Sequence, residues 1–271
     1  MRQTILLWIL AVVLTLASVV YQRMTGPNHP VNGRVEIDGT DIDFELLRSY
    51  DTTGDAAMAI NVPDRQITGE IRWRRFKSND TLMTESLTRD GDDLIITIPK
   101  QPMAGKVIYQ ISLIDKMGQK HDLTAEPIIL RYNGPVPSYV LGPHILFMFV
   151  GMMLATRAGL EAIAKRKNAY RFSIWTTVLL FVGGAILGPL VQKFAFDTYW
   201  AGWPLGHDLT DNKTMAALIF WTIALWRGAK AKEDRGWIIT AAIVTLVVFL
   251  IPHSLLGSEL DYTQMGPNTQ P

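Results

Sequence analysis

Hydrophobic and polar positions divide this chain into stretches of different period. Ile5 to Val20 is a run of sixteen residues without a charge, led by Met1-Arg2 and followed by Tyr21-Gln22-Arg23. Wound as a helix the run rises about 24 Å, which makes Trp8 and Tyr21 natural interfacial anchors at its ends. A secretory signal peptide also begins with a basic residue and an apolar core, but this core is long and no small-x-small cleavage site follows it. The pattern predicts an uncleaved transmembrane signal anchor over residues 1–24.

From about Val31 to Tyr132, short alternating runs are broken by Gly, Pro, Asn and Asp, which predicts a β-rich domain of roughly eight strands within residues 25–138. The strands expected are Arg34 to Ile37, Asp43 to Leu47, Ala57 to Val62, Gly69 to Phe76, Leu82 to Leu87, Leu94 to Ile98, Lys106 to Ile114 and Ile128 to Tyr132. Ile71 and Trp73 share one face of GEIRWRRF, and Val107, Tyr109, Ile111 and Leu113 share one face of KVIYQISLI, as in half-buried sheets. Asp90-Gly91 and the turn from Asp115 to Gly118 punctuate hairpins.

Pro135, Pro137 and Gly142-Pro143 mark a return to long apolar runs. A transmembrane region is expected over residues 139–257, with spans at about 139–156, 172–191, 212–227 and 236–252, making a bundle of about five helices with the anchor. Gly151, Ala155 and Gly159 lie four apart, as do Gly184 and Gly188, which puts small residues on helix faces for close packing. The apolar core of the fourth span, Thr214 to Trp226, is short for a bilayer and needs snorkelling or local thinning to cross. Residues 258–271 are expected as a flexible outer tail.

Charge sets the orientation. Arg157, Lys165, Arg166, Lys167 and Arg171 form one basic link, opposed only by Glu161, and Arg227, Lys230, Lys232 and Arg235 form another. The loop over residues 193–213 carries two basic residues and the tail none, so the positive-inside rule puts both links and the amino terminus in the cytoplasm. The β domain, the loop and the tail then lie outside a plasma membrane, periplasmic if the cell has two membranes. Arg23, just beyond the first span, is a small dissent. The net charge of +1 is a cancellation between 13 basic and 17 acidic residues over 25–138 and 13 basic and 8 acidic elsewhere. It leaves no strong pull on nucleic acid, and the absence of cysteine excludes thiol chemistry and disulfides.

All five histidines fall on the outer side in this scheme. His144 and His253 come to similar depth on two antiparallel spans, with His207 in the loop between the third and fourth, so together they could ligate a transition metal or, as a pair, haem iron. Equally, each can be an interfacial histidine bonded to headgroups, water or backbone. His207, Asp208 and Asp211 could hold a divalent ion, or the carboxylates can cap the following helix. Tyr199, Trp200 and Trp203 read as an interfacial belt or as a platform for a quinone or carbohydrate. Arg72, Arg74, Arg75 and Lys77 make a basic strand edge, either a solvated face paired with nearby Asp or a contact for an acidic partner or lipid headgroups.

The order GEIRWRRF, then DDLIITIPKQPMAGKVIYQISLIDKMGQ, resembles immunoglobulin-like and fibronectin type III-like sandwich domains of bacterial surface and periplasmic proteins. The resemblance implies an all-β sandwich with Trp73 as a core tryptophan and Tyr109 as a corner tyrosine. The whole pattern is similar to multi-pass bacterial inner-membrane proteins with such a domain. Three functions stay open. One is a non-enzymatic accessory or assembly subunit whose partners are the lipid bilayer and other membrane or periplasmic proteins; the apolar runs hold no ionisable residue of the kind a transporter needs. Another is a redox or metal subunit using the histidines. The third is an outer-surface enzyme with its site in the 193–213 loop.

Overall fold

The computed structural model describes residues 2–230, 234–252 and 257–264. Within them the chain forms two compact units. A helical unit takes Met1–Pro27, Val136–Phe194 and Thr198–Ser258; a β unit takes Asn28–Pro135, Ala195–Asp197 and Glu259–Pro271.

In the β unit, β1 (Val31–Ile37) and β2 (Thr40–Leu46) form an antiparallel hairpin. Asp38 and Gly39 at its tip both take positive φ, 53° and 79°, the conformation that a two-residue turn needs to match strand twist. A second sheet runs β3 (Ser49–Asp51), β11 (Ile128–Asn133), β9 (Lys106–Ile114), β5 (Thr68–Arg75), β6 (Met83–Ser86), with β10 (Lys120–Asp122) also on β9. A third runs β4 (Ala56–Asn61), β8 (Asp93–Ile98), β7 (Thr88–Asp90). Every pairing is antiparallel except β3 with β11.

Alternate residues of these strands point into one core. Ile42, Phe44 and Leu46 from the hairpin meet Met58 and Ile60 of β4, Ile71 and Trp73 of β5, Leu94, Ile96 and Ile98 of β8, and Val107, Tyr109, Ile111 and Leu113 of β9. Trp73 and Tyr109 stand opposite each other in the β5–β9 register. Each has its polar end satisfied: Trp73 Nε1 donates to Glu85 (2.9 Å), and the Tyr109 hydroxyl donates to the Leu47 carbonyl (2.7 Å). The expected strands appear; the three-residue β3, β7 and β10 are additions too short for an alternation to announce.

The helical unit contains α1 (Arg2–Thr25), α2 (Ser138–Ile163), a rod over Ala169–Phe196, α5 (Leu209–Lys230) and α6 (Arg235–Leu250). The rod is α3 (Ala169–Leu180), a π-helical segment (Phe181–Leu187) and α4 (Gly188–Phe196). Among described residues, α1, α2 and the rod are long and apolar enough to cross a membrane; α6 is apolar but shorter.

Small residues set the helix spacing. A Cβ on Gly151 would meet Leu180 at 3.0 Å, one on Gly159 would meet Ala242 at 2.6 Å, and one on Gly184 would meet Thr214 at 2.5 Å. The Gly151–Ala155–Gly159 stripe of α2 therefore faces the rod at one end and α6 at the other, and Gly184 admits α5. The π segment ends at Leu187, two residues before Pro189, whose ring has no N–H to continue an α-helical ladder. There the Gly188 amide bonds five residues back to the Gly183 carbonyl.

Candidate functional site

The loop between the rod and α5 is folded onto the start of α5. Asp211 Oδ2 accepts from the Ala201 and Gly202 amides (2.7 and 3.0 Å), and Asn212 Oδ1 accepts from the Trp203 amide (2.7 Å). Asp208 stands just before α5 and accepts the Thr210 amide on Oδ1 (2.8 Å), a capping bond for an orphan amide. Its Oδ2 takes the Ser258 amide and hydroxyl (2.9 and 3.2 Å). Both carboxylates are thus engaged by backbone donors. Asp208 caps the helix as one reading expected, whereas Asp211 fastens the loop instead.

His207 is exposed beside them, and no group of three His, Asp or Glu that could hold a metal ion occurs among the described residues. Tyr199 and Trp203 are 57% and 64% exposed. Trp200 is half buried, its Nε1 donating to the Trp203 carbonyl (3.1 Å).

His144, on α2, donates from Nδ1 to the Gly183 carbonyl of the π segment (2.9 Å). A carbonyl only accepts, so Nδ1 carries the proton and a neutral ring keeps its lone pair on Nε2. His253 lies outside the described residues. The helix end just before it is held from two sides: Gln22 of α1 donates to Phe249 O (2.6 Å) and Ile251 O (3.2 Å), and the buried Lys213 of α5 donates to Ile251 O (2.7 Å). A cation on the last carbonyls of α6 is favourable because they carry the negative end of the helix dipole.

One residue of the first basic link, Arg157, lies elsewhere than the charge count implied, whereas Lys165, Lys167 and Arg171 are exposed. Arg157 is not in a solvated link: α2 continues to Ile163, and the Arg157 and Glu161 side chains are 1% and 0% exposed. Arg157 Nη1 comes to 2.5 Å from Glu161 Oε2, off the hydrogen-bonding direction, so the contact is an ion pair. The guanidinium carbon lies 5.3 Å from the Trp8 ring and 4.8 Å from the Phe172 ring, which meet edge to face. Arg166 reaches Glu161 (3.3 Å) and also Thr4 of α1 (2.8 Å). The helical unit is therefore not empty of ionised side chains; these join α1, α2 and α3. The i, i+4 spacing of Arg157 and Glu161 was the available signal, obscured by ending the span at Thr156.

The basic strand edge of the β unit is in part paired with nearby Asp, Arg72 with Asp122 (3.0 Å) and Arg75 with Asp80 (2.6 Å), while its Lys77 end meets the acidic segment Glu259–Gln264. Glu259 pairs with both Lys106 and Lys77, and the Leu260 amide donates to the Ala104 carbonyl (3.1 Å). Tyr262, 8% exposed, donates its hydroxyl to Gln101 Oε1 (3.1 Å) and lies under Arg75, whose guanidinium carbon is 4.7 Å from the ring centroid. Gln101 Nε2 donates to the Pro99 carbonyl (3.0 Å), which fixes the amide with its oxygen toward the tyrosine. Gly105 makes room, because a Cβ there would stand 2.6 Å from the Tyr262 hydroxyl. Burial opposes ionisation of Glu259, but the bonds from Lys106 and Lys77 outweigh it and hold the carboxyl below its usual range. Burial also pulls the Lys106 ammonium down, against Glu259, and pushes the Tyr262 phenol up to about 12. This segment was expected as part of a flexible tail; its described residues are bound. Residues 265–271, the end of that tail, lie outside the described residues.

These features define a class only coarsely: a mixed chain with antiparallel sheets and, among described residues, three helices long and apolar enough to cross a membrane. No protein-family model matches the chain, and no curated protein matches it significantly.

Proposed function

We propose that this chain is a non-enzymatic integral membrane subunit of the bacterial inner membrane whose β unit is an immunoglobulin-like or fibronectin III-like domain presented outside the cytoplasm for protein contacts. The observation that carries the reading is the socket formed by Arg75, Lys77, Gln101 and Lys106, a surface that holds an acidic and aromatic peptide segment by side-chain recognition. The facing Trp73 and Tyr109, the latter bonded back to Leu47, support the domain type. In this reading the five helices anchor the subunit, and Arg157 with Glu161 and Arg166 fastens the first helix to the others.

The test is co-purification of the tagged full chain from solubilised membranes, compared with a chain lacking residues 31–132. The expected result is a defined set of co-purifying proteins lost with the deletion while membrane insertion is retained. Unchanged co-purification refutes the binding role.

A second reading, a redox or metal subunit, is favoured by one observation: the bond to Gly183 leaves His144 Nε2 as the atom with a free lone pair. An absorption spectrum of the purified chain, oxidised and reduced, with metal analysis, tests it. A Soret band or stoichiometric metal that disappears in His144→Ala sustains this reading, and a clean, metal-free spectrum dismisses it.

A further inference from the structure

We infer that the socket around Lys106 is a recognition site for a Glu-x-x-Tyr segment, occupied here by Glu259 to Tyr262 and open to an equivalent segment of a partner protein by exchange. The inference rests on the partner-binding reading above and names the chemistry of the partner.

The β unit does not need its occupant in order to have a core. Tyr262 is buried, yet it is not part of the apolar cluster that joins the strands, and Glu259–Gln264 adds no strand to any sheet. One main-chain bond, Leu260 to Ala104, sets the register of the segment. The remaining contacts are made by side chains at two positions three apart, Glu259 and Tyr262. A site of this form reads side chains rather than extending a ladder.

The socket also requires an acid. The Lys106 side chain is 9% exposed, Arg131 is buried close enough to oppose its charge, and Phe76 lies beneath it with its ring centroid 5.7 Å from Nζ. An ammonium in that position without a carboxylate partner is costly, so whatever displaces Glu259 must bring a carboxylate to the same place. The ring site is equally specified. Gly105 leaves the space, Gln101 is held with its oxygen outward to accept a phenol hydroxyl, and Arg75, fixed by Asp80 (2.6 Å), covers the ring face. A phenylalanine would leave the Gln101 oxygen unsatisfied. Because the chain's own segment is tethered, its effective concentration is on the order of millimolar, and it competes with a partner segment until that segment is itself held nearby in a complex.

The experiment uses the full chain in detergent and a fluorescein-labelled peptide of residues 257–264, GSELDYTQ. The receptor is tested as wild type and as Glu259→Ala/Tyr262→Ala, which vacates the socket, with thermal unfolding to establish that each is folded. The expected result is saturable binding to the double variant, at least about tenfold tighter than to wild type, since the tethered segment no longer competes. Peptides carrying Ala for Glu or Phe for Tyr are expected to bind at least about fivefold more weakly, and changes on the peptide cannot unfold the receptor. Lys77→Ala in the double variant, at a side chain 48% exposed, is expected to weaken binding as well. No saturable binding to a folded double variant, or binding indifferent to the Glu and Tyr of the peptide, overturns the inference. If binding fails while loss of residues 31–132 still removes co-purifying proteins, partner binding stands and only this socket is excluded from it.

Discussion

The most exposed ion pair of the β unit and the most buried one of the helical unit show two opposite uses of paired charge. In the β unit the paired charges sit mostly at the surface: Arg34 bridges Asp43 with the two side chains 61% and 72% exposed, and the apolar core closes without them. In the helical unit, Arg157 and Glu161 are both buried, the guanidinium against the rings of Trp8 and Phe172, and the pair forms part of the packing itself. Surface pairs contribute little because water competes for both partners, whereas a buried pair is costly to make and more costly to break. The socket at Lys106 lies between these extremes, with one buried and one exposed lysine sharing a single carboxylate.

The largest effect is expected from Glu161→Ala. It leaves Arg157 buried without its carboxylate and is expected to cost about 3 to 5 kcal/mol, read as a fall in the thermal midpoint of the detergent-purified chain by tryptophan fluorescence. Replacing both partners together, Arg157→Met with Glu161→Leu, is expected to be much milder. Next comes Gly184→Leu, whose first side-chain carbon already meets Thr214 at 2.5 Å; about 1 to 3 kcal/mol is expected in the same assay. In the β unit, Tyr109→Phe strips the Leu47 carbonyl of its buried donor and is expected to cost about 1 kcal/mol or somewhat more.

A pH titration sharpens the intermediate case. Glu259 has a depressed folded-state pKa, so its contribution to docking is complete above its ordinary value of 4.5 and is lost as pH falls through the lower, docked value. Hydrogen exchange at the Leu260 amide, corrected for intrinsic rate, is expected to stay protected at neutral pH and to lose protection only below that ordinary value. The smallest effect is expected from Arg34→Ala, which should leave the thermal midpoint unchanged.

The sequence disclosed what depends on local period. Alternation in KVIYQISLI and GEIRWRRF marked β9 and β5, and the four-residue spacing of Gly151, Ala155 and Gly159 marked a packing face. What it hid depends on long-range geometry. Arg157 counted as a loop charge because apolarity stops at Thr156, although the helix and its burial continue. Lys77 read as part of a basic edge with Arg72, Arg74 and Arg75, and Lys106 drew no notice, but Glu259, the partner of both lysines, lies more than 150 residues away from either and carries no local mark of contact. For the histidines, the sequence suggested a common depth for His144 and His253, while the bond that orients His144 comes from the π segment before Pro189.

The proposed role of the β unit is to present a surface for protein contacts. It is tested most directly by isolating the tagged full chain from native membranes after mild crosslinking, with and without residues 31–132. The expected result is a set of discrete crosslinked partners that vanish with those residues while the helices remain inserted. An identical set of partners in both samples, or a stoichiometric cofactor in a chain with no β-dependent partner, would contradict it.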